Sequence, residues 1–146
     1  MKSIQTSEDN IIKVNRLHWI SFLETHRFLT EKKFHWVEWQ LNKKSRWLEG
    51  KGKLTFQKQT YKFKLLYSPF FPARYDRIYI TSPSIGYNNE IHMYGDLALC
   101  LYHPVFDVPN GQIMPLHRIV PWISEWIINY KKWQKYGIWF SDEIAH

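Results

Sequence analysis

The chain reads as an α+β protein in the order N-terminal helix, four-stranded antiparallel meander, long loop carrying a lone cysteine, C-terminal helix. Three observations predict this: a helical apolar period near the N-terminus, a switch to period two from Phe34, and a return of the helical period beyond Met114. With 146 residues, 45% of them hydrophobic, the chain is the size of a single domain spanning 1–146. Such a chain buries a core without disulfides or metals.

The first periodic segment runs from Ile11 to Leu29, with Ile11, Val14, His18, Phe22 and Leu29 on one side and Ile12, Trp19, Leu23 and Phe28 widening the apolar face. One amphipathic helix is expected there, with Ser7, Asp9 or Asn10 as its N-cap and Lys32-Lys33 at its C-terminal end. From Phe34, Trp36 and Glu38 the pattern alternates, and Trp47–Phe56, Tyr61–Tyr67 and Arg77–Thr81 follow as strand-like runs. Gly50 and Gly52 suggest a bend or bulge, Gln57-Lys58-Gln59 a tight connection, and Ser68 to Pro72 the end of the third strand. In that strand Tyr61, Phe63, Leu65 and Tyr67 face one way and Lys62 and Lys64 the other, so one face is buried and one is wet. Beyond it, Gly86 to Glu90 open a long loop that runs to Cys100, and Asn88, Asn89 and Glu90 read as a polar loop tip.

The last regular segment carries Leu116, Ile119, Val120, Ile123, Ile127 and Tyr130 at helical spacing. Pro121 lies inside this stripe, so the expectation is a turn ending at Val120 or a helix starting near Pro121. Gly137 marks the end, and the aromatic tail from Ile138 should dock on the body. No internal repeat or low-complexity segment is present.

A net charge of +7 and an 18% aromatic content with eight tryptophans raise the question of a nucleic-acid surface. The lysines are scattered between apolar positions, and no recognition-module motif accompanies them, so a basic surface suited to an acidic partner is the simpler reading. The N-terminus lacks the apolar run of a signal peptide and a single cysteine makes no internal disulfide, which points to the reducing cytoplasm. No stretch approaches the roughly 20 apolar residues that span a bilayer.

Cys100 sits in His92-Met93-Tyr94-Gly95-Asp96-Leu97-Ala98-Leu99-Cys100-Leu101-Tyr102-His103-Pro104, a polar loop that turns apolar before the thiol and breaks at a proline after it. A thiolate is the side chain best suited to carry an acyl group, because the thioester it forms stays reactive toward amines. A cysteine buried as a small hydrophobe is the other reading of the same residue. His92, Cys100, His103 and His117 are metal-type ligands, but their spacing matches no common zinc pattern; neither a metal nor a cofactor is called for. Trp122, Trp126 and Trp133 fall at spacings that make them core or tail-packing residues.

The run Tyr61-x-Phe63-x-Leu65-x-Tyr67-x-Pro69 through Pro72, the strand leading to Pro83, and the loop from His92 to Cys100-Leu101 resemble the core of ubiquitin-conjugating enzymes. More specifically, His92-x-Tyr94-x-Asp96-x-x-Leu99-Cys100-Leu101-Tyr102-x-Pro104 is similar to the stand-alone conjugating-enzyme-like proteins of bacterial cyclic-oligonucleotide-based antiphage signalling systems (CBASS). So is Pro121-Trp122-x-x-Glu125-Trp126-x-x-x-Tyr130-x-x-Trp133-x-x-x-Gly137-x-Trp139. The resemblance covers Phe34 to His146 by motif and the first helix by order alone.

It implies a ubiquitin-conjugating-enzyme-like fold and a transferase in which Cys100 accepts the C-terminal acyl group of a protein and passes it to a lysine amine. The implied partner is the operon's cyclic-oligonucleotide synthase, bound through its C-terminal tail, with acceptor-lysine proteins beyond it and no membrane. His92 corresponds to the histidine opening the family's loop, with a loop-shaping and an acid–base role both open. The wider family keeps an asparagine where this chain has Tyr94, so the oxyanion donor is either the Tyr94 hydroxyl or a backbone amide near Cys100. Asp96 is either a solvated turn residue or the group that orients or deprotonates the incoming amine, and Gly95 permits the turn. A non-catalytic module of the same fold, binding the synthase or a nucleic acid through its basic face, is the alternative.

Overall fold

Residues 3–102, 107–108 and 113–139 are described by a computed structural model. The N-terminal periodic segment is two helices, α1 (Ser3–Leu17) and α2 (Trp19–Glu31), not one. The change of direction falls at His18, whose φ of −110° and ψ of 40° leave the helical region. The hydrogen-bond ladder nevertheless crosses it, His18 N–H donating to the Val14 carbonyl and Phe22 N–H to the His18 carbonyl. An apolar stripe survives such a kink, which is why periodicity alone reads a single helix. Ser7, Asp9 and Asn10 lie inside α1 and are not its N-cap.

At the end of α2 the amides of Lys33 and Phe34 both donate to the Thr30 carbonyl, and Val37 N–H donates to Phe34. Those amides are spent on turns, so the alternation from Phe34 does not become a strand until β1 (Glu38–Asn42). β2 (Trp47–Phe56), β3 (Gln59–Tyr67) and β4 (Asp76–Ser82) complete an antiparallel sheet in sequence order. Gln57 and Lys58 join β2 to β3, both at positive φ (50° and 66°), as a two-residue hairpin of right-twisted strands requires.

Gly50 and Gly52 do not bend β2. Each lies in register within the ladder, and a Cβ would come within 2.7 Å of Trp39 Cζ3 at Gly50 and of Phe63 Cζ at Gly52. Their role is to let two aromatic rings lie on the backbone. The register shift sits instead in the β3–β4 ladder, where Lys62 pairs with Ser82 and Phe63 with Ile80, so that the extra residue is Thr81 of β4.

The core lies between one face of the sheet and the helices α2 and α3 (Leu116–Tyr136). Leu48, Tyr61, Phe63, Leu65, Tyr67 and Ile78 pack there with Leu23 of α2 and with Leu116, Ile119, Ile123, Trp126 and Ile127 of α3. Fully burying a leucine or isoleucine side chain contributes about 1.5–3 kcal/mol, so this cluster dominates the fold's stability. Pro121 neither ends nor starts α3 but lies within it, because the buried Ile119, Val120 and Ile123 hold the helix across the missing amide hydrogen. Gly137, at φ 73°, closes α3 by donating to the Trp133 carbonyl at 2.7 Å. Among the described residues no helix is long and apolar enough to cross a membrane.

Candidate active site

The long loop is more ordered than its sequence suggests. A 3-10 turn at Asn89–Ile91 is capped by the Asn88 side chain, which accepts from Glu90 N–H at 2.9 Å. His92 follows in the left-handed region at φ 56°, and the chain then folds into a short hairpin pairing Met93 with Leu99. Its tip is a three-residue connection, Gly95-Asp96-Leu97, in which Tyr94 N–H donates to Ala98 and Leu97 N–H to Tyr94. Leu97 takes the left-handed conformation at φ 74°, where glycine is usual. The Asp96 carboxylate accepts from Ala98 N–H at 3.0 Å, a local turn bond that holds this tip.

Two backbone bonds fix where the hairpin delivers the thiol. Leu99 N–H donates to the Ile78 carbonyl of β4 at 2.8 Å, and Cys100 N–H donates to the His92 carbonyl at 2.9 Å. Ile91, Met93, Leu99 and Leu101 are buried on either side, so the apolar turn of the sequence before Cys100 is an anchor. The Trp126 indole N–H of α3 donates to the Ile91 carbonyl at 2.9 Å and to that of His92 at 3.3 Å, tying the loop to the helix. The His92 ring stacks on Trp139 with centroids 5.0 Å apart, and Trp139 also packs on Trp126, so the described start of the tail docks on the body.

Cys100 is a free thiol, half-buried, with Sγ 3.9 Å from the Tyr102 carbonyl. Burial pushes its pKa up, while the neighbouring Tyr94 hydroxyl and the positive charge of Arg74 pull it down. The Tyr94 hydroxyl donates to the same Tyr102 carbonyl at 3.3 Å, and burial together with the neighbouring Cys100 keeps that phenol well above its usual range. Tyr94 is therefore a neutral donor beside the sulfur. The Arg74 guanidinium lies over the Tyr94 ring, its carbon 3.4 Å from the centroid. Behind them the fully buried Asp76 accepts from the Tyr102 hydroxyl, and burial raises its carboxyl against the opposing pull of Tyr102 and Arg74.

His92 and Tyr94 are thus brought to Cys100, one through its backbone carbonyl and the other through a shared acceptor, the Tyr102 carbonyl. Asp96 sits at the exposed hairpin tip, with Arg77 Nε 4.0 Å from its carboxylate. His117 lies at the start of α3, electrostatically coupled to His26 of α2 and flanked by the charges of Lys33 and Arg118. His103 falls outside the described residues, and among those described no group of three or more His, Cys, Asp or Glu is placed to hold a metal. Trp122 packs against Tyr102, and Trp133 stacks on Tyr130.

Sequence reasoning missed Arg74 and Asp76. The signal available was Asp76, a charged residue at an inward-facing position, since it pairs with the buried Tyr67. Nothing local marks Arg74, which follows Ala73 in the connection between β3 and β4. A cleft of about 370 Å³ opens next to this cluster, lined in part by Leu101, Tyr102, Trp122, Arg118 and Glu125.

A four-stranded antiparallel meander backed by helices, with a thiol on a pinned loop between β4 and α3, is compatible with the fold of ubiquitin-conjugating enzymes. A family model described as a type II CBASS E2 protein matches residues 26–146, and the chain belongs to that family. Neither the search of curated proteins nor that of solved structures returned a match.

Proposed function

We propose that Cys100 carries the C-terminal acyl group of a CBASS protein, the cyclic-oligonucleotide synthase of the operon, as a thioester and transfers it to a lysine amine in the reducing cytoplasm. The observation that carries this reading is a free, half-buried thiol on a backbone-pinned hairpin, sharing the Tyr102 carbonyl with the hydroxyl of a neutral tyrosine, in a chain of the CBASS conjugating-type family. The donor must arrive activated, as a thioester or an acyl adenylate, because a free carboxylate offers no competent leaving group. The Cys100 sulfur gives up its proton and bonds to the acyl carbon as the bond to the departing thiolate or AMP breaks. The lysine nitrogen, as the neutral amine, then bonds to the same carbon, the sulfur–carbon bond breaks, and the proton lost from nitrogen offsets the charge of the departing thiolate, regenerating the thiol.

In both steps negative charge grows on the acyl oxygen, and the Tyr94 hydroxyl, a neutral donor beside the sulfur, is the group assigned to meet it. His92 is assigned the loop-shaping role, since its carbonyl receives both Cys100 N–H and the Trp126 indole. Asp96 is assigned to the turn. The cleft next to Tyr102 is the place for the extended donor tail.

The protein and its synthase, expressed together from the operon, should give an adduct on non-reducing gels that disappears with added thiol and is absent in Cys100→Ala. Complete absence of a thiol-sensitive adduct would overturn the reading.

The alternative, a non-catalytic module, has one observation in its favour. On the outer face of the sheet, Lys51 pairs with Lys64 and Lys53 with Lys62 across β2 and β3, with Glu49 beside Lys51 and Lys64. Opposed like charges are unfavourable in a free sheet and suit an anionic partner. Salt-sensitive binding to the synthase or to short oligonucleotides that is indifferent to Cys100→Ala, with no adduct, would favour this reading.

A further inference from the structure

The connection between β3 and β4 is held unusually firmly for a loop. Ser68 Oγ donates to the Arg46 carbonyl, Arg16 Nε donates to the Pro69 carbonyl, and the Arg77 guanidinium donates to the carbonyls of Pro72, Arg74 and Asp76. At its end stands Arg74, whose side chain is only 10% exposed. Its Nε and Nη2 are buried and have no hydrogen-bond partner among the described residues. The nearest counter-charge, Asp76, lies 3.9 Å from Nε, beyond hydrogen-bond reach, and its other oxygen is taken by the Tyr102 hydroxyl.

A buried guanidinium normally saturates its hydrogen bonds, because desolvating it without partners is expensive. Here the planar head rests instead on the face of Tyr94, whose hydroxyl meets the Cys100 thiol at the Tyr102 carbonyl. We propose that Arg74 is a positioning residue of the thiol site: its incompletely neutralised charge clamps the Tyr94 ring against Cys100 and stabilises the negative charge that develops on sulfur. This rests on the reading of Cys100 as the reacting thiol. Among the described residues, the charged and titratable groups that act on Cys100 are Tyr94, Arg74, Asp76 and Asp107. Of these Arg74 is the cation, and Asp76 and Asp107 act against it.

The test is the pH profile of Cys100 alkylation by iodoacetamide in the purified full chain, which reads the thiolate without requiring any acyl donor. Arg74→Met should move the midpoint of the profile to higher pH by about one unit, a tenfold loss of thiolate at neutral pH. Arg74→Lys, which keeps the charge, should restore most of it. If the tyrosine transmits the effect, Arg74→Met should add little on top of Tyr94→Phe. An unmoved midpoint in Arg74→Met, or an equal shift in Met and Lys variants, would overturn the proposal. Should Arg74→Met fail to fold, Arg74→Gln, planar and neutral, is read in the same way. Failure of the synthase adduct in the wild-type protein, with the Arg74 shift intact, would count against the proposed transfer and not against the clamp.

Discussion

At the scale of single residues, the site separates groups that touch the thiol from groups that shape its loop. Asp96 belongs to the second kind, since its carboxylate accepts from Ala98 N–H within the tip of the hairpin. Asp96→Ala is expected to lower stability by about 1 kcal/mol, the ordinary worth of one local hydrogen bond. Asp96→Asn keeps an acceptor in the same place and should retain both stability and the proposed lysine transfer, measured by urea unfolding and by the rate of discharge of the proposed thioester. Loss of discharge in the asparagine variant alone would show that the negative charge itself takes part in the chemistry. The flanking residues of Cys100 placed it at the end of a loop but left a reacting thiol and a buried small hydrophobe both open, because a polar stretch that turns apolar before a cysteine suits either. The Asp96 turn bond was legible only as residue type.

At the scale of elements, α2 carries a pH-dependent contribution to stability. His26 lies between the rings of Phe22 and Tyr67, at centroid distances of 4.5 and 5.3 Å, and its Nδ1 is buried without a partner. Burial, reinforced by the neighbouring His117, lowers its pKa from 6.5 to about 4. The unfolded chain therefore binds a proton on this ring as pH falls below its unperturbed value, while the folded chain resists until near 4. Stability is fully present above pH 6.5 and is lost as pH falls toward and through 4, by at most about 3 kcal/mol. His26→Phe, which suits the aromatic surroundings, should flatten this dependence, so that the difference in urea midpoint between variant and wild type widens from pH 7 to pH 4.5. A constant difference across that range would place the effect elsewhere.

The elements themselves were largely readable. The strands Trp47–Phe56 and Tyr61–Tyr67 and the helix after Met114 each carry a local alternation of burial that the sheet or helix then satisfies. The errors fell where local pattern and tertiary geometry part, at the kink of His18, at Pro121, and at Gly50 and Gly52, whose partners are rings from neighbouring strands.

At the scale of the whole molecule, α3 and the site loop are one mechanical unit, joined by the Trp126 indole N–H and by the stacking of Trp139 on His92. Trp126 is wholly buried. Trp126→Phe removes the donor, keeps much of the aromatic volume, and leaves a buried carbonyl short of a partner. It should cost about 2 kcal/mol in stability. Because the His92 carbonyl also holds Cys100 N–H, the same variant should change the rate at which Cys100 is alkylated under native conditions. Lost stability with unchanged alkylation would show that helix and loop are not coupled.

The order of elements, the buried face of the sheet and the place of the thiol were determined by the sequence itself, because each rests on short-range periodicity or on a local change of polarity. The cluster around the thiol was decided only by the tertiary structure. Arg74, Asp76, Tyr94 and Tyr102 come from two segments with no shared pattern, and they meet because Leu99 bonds to Ile78 and so lays the hairpin along β4. Burial then sets their chemistry, raising the thiol and phenol of Cys100 and Tyr94 and leaving the Arg74 charge without hydrogen-bond partners at Nε and Nη2 among the described residues. Desolvation is a property of the assembled interior, and no stretch of the chain carries it before the fold forms.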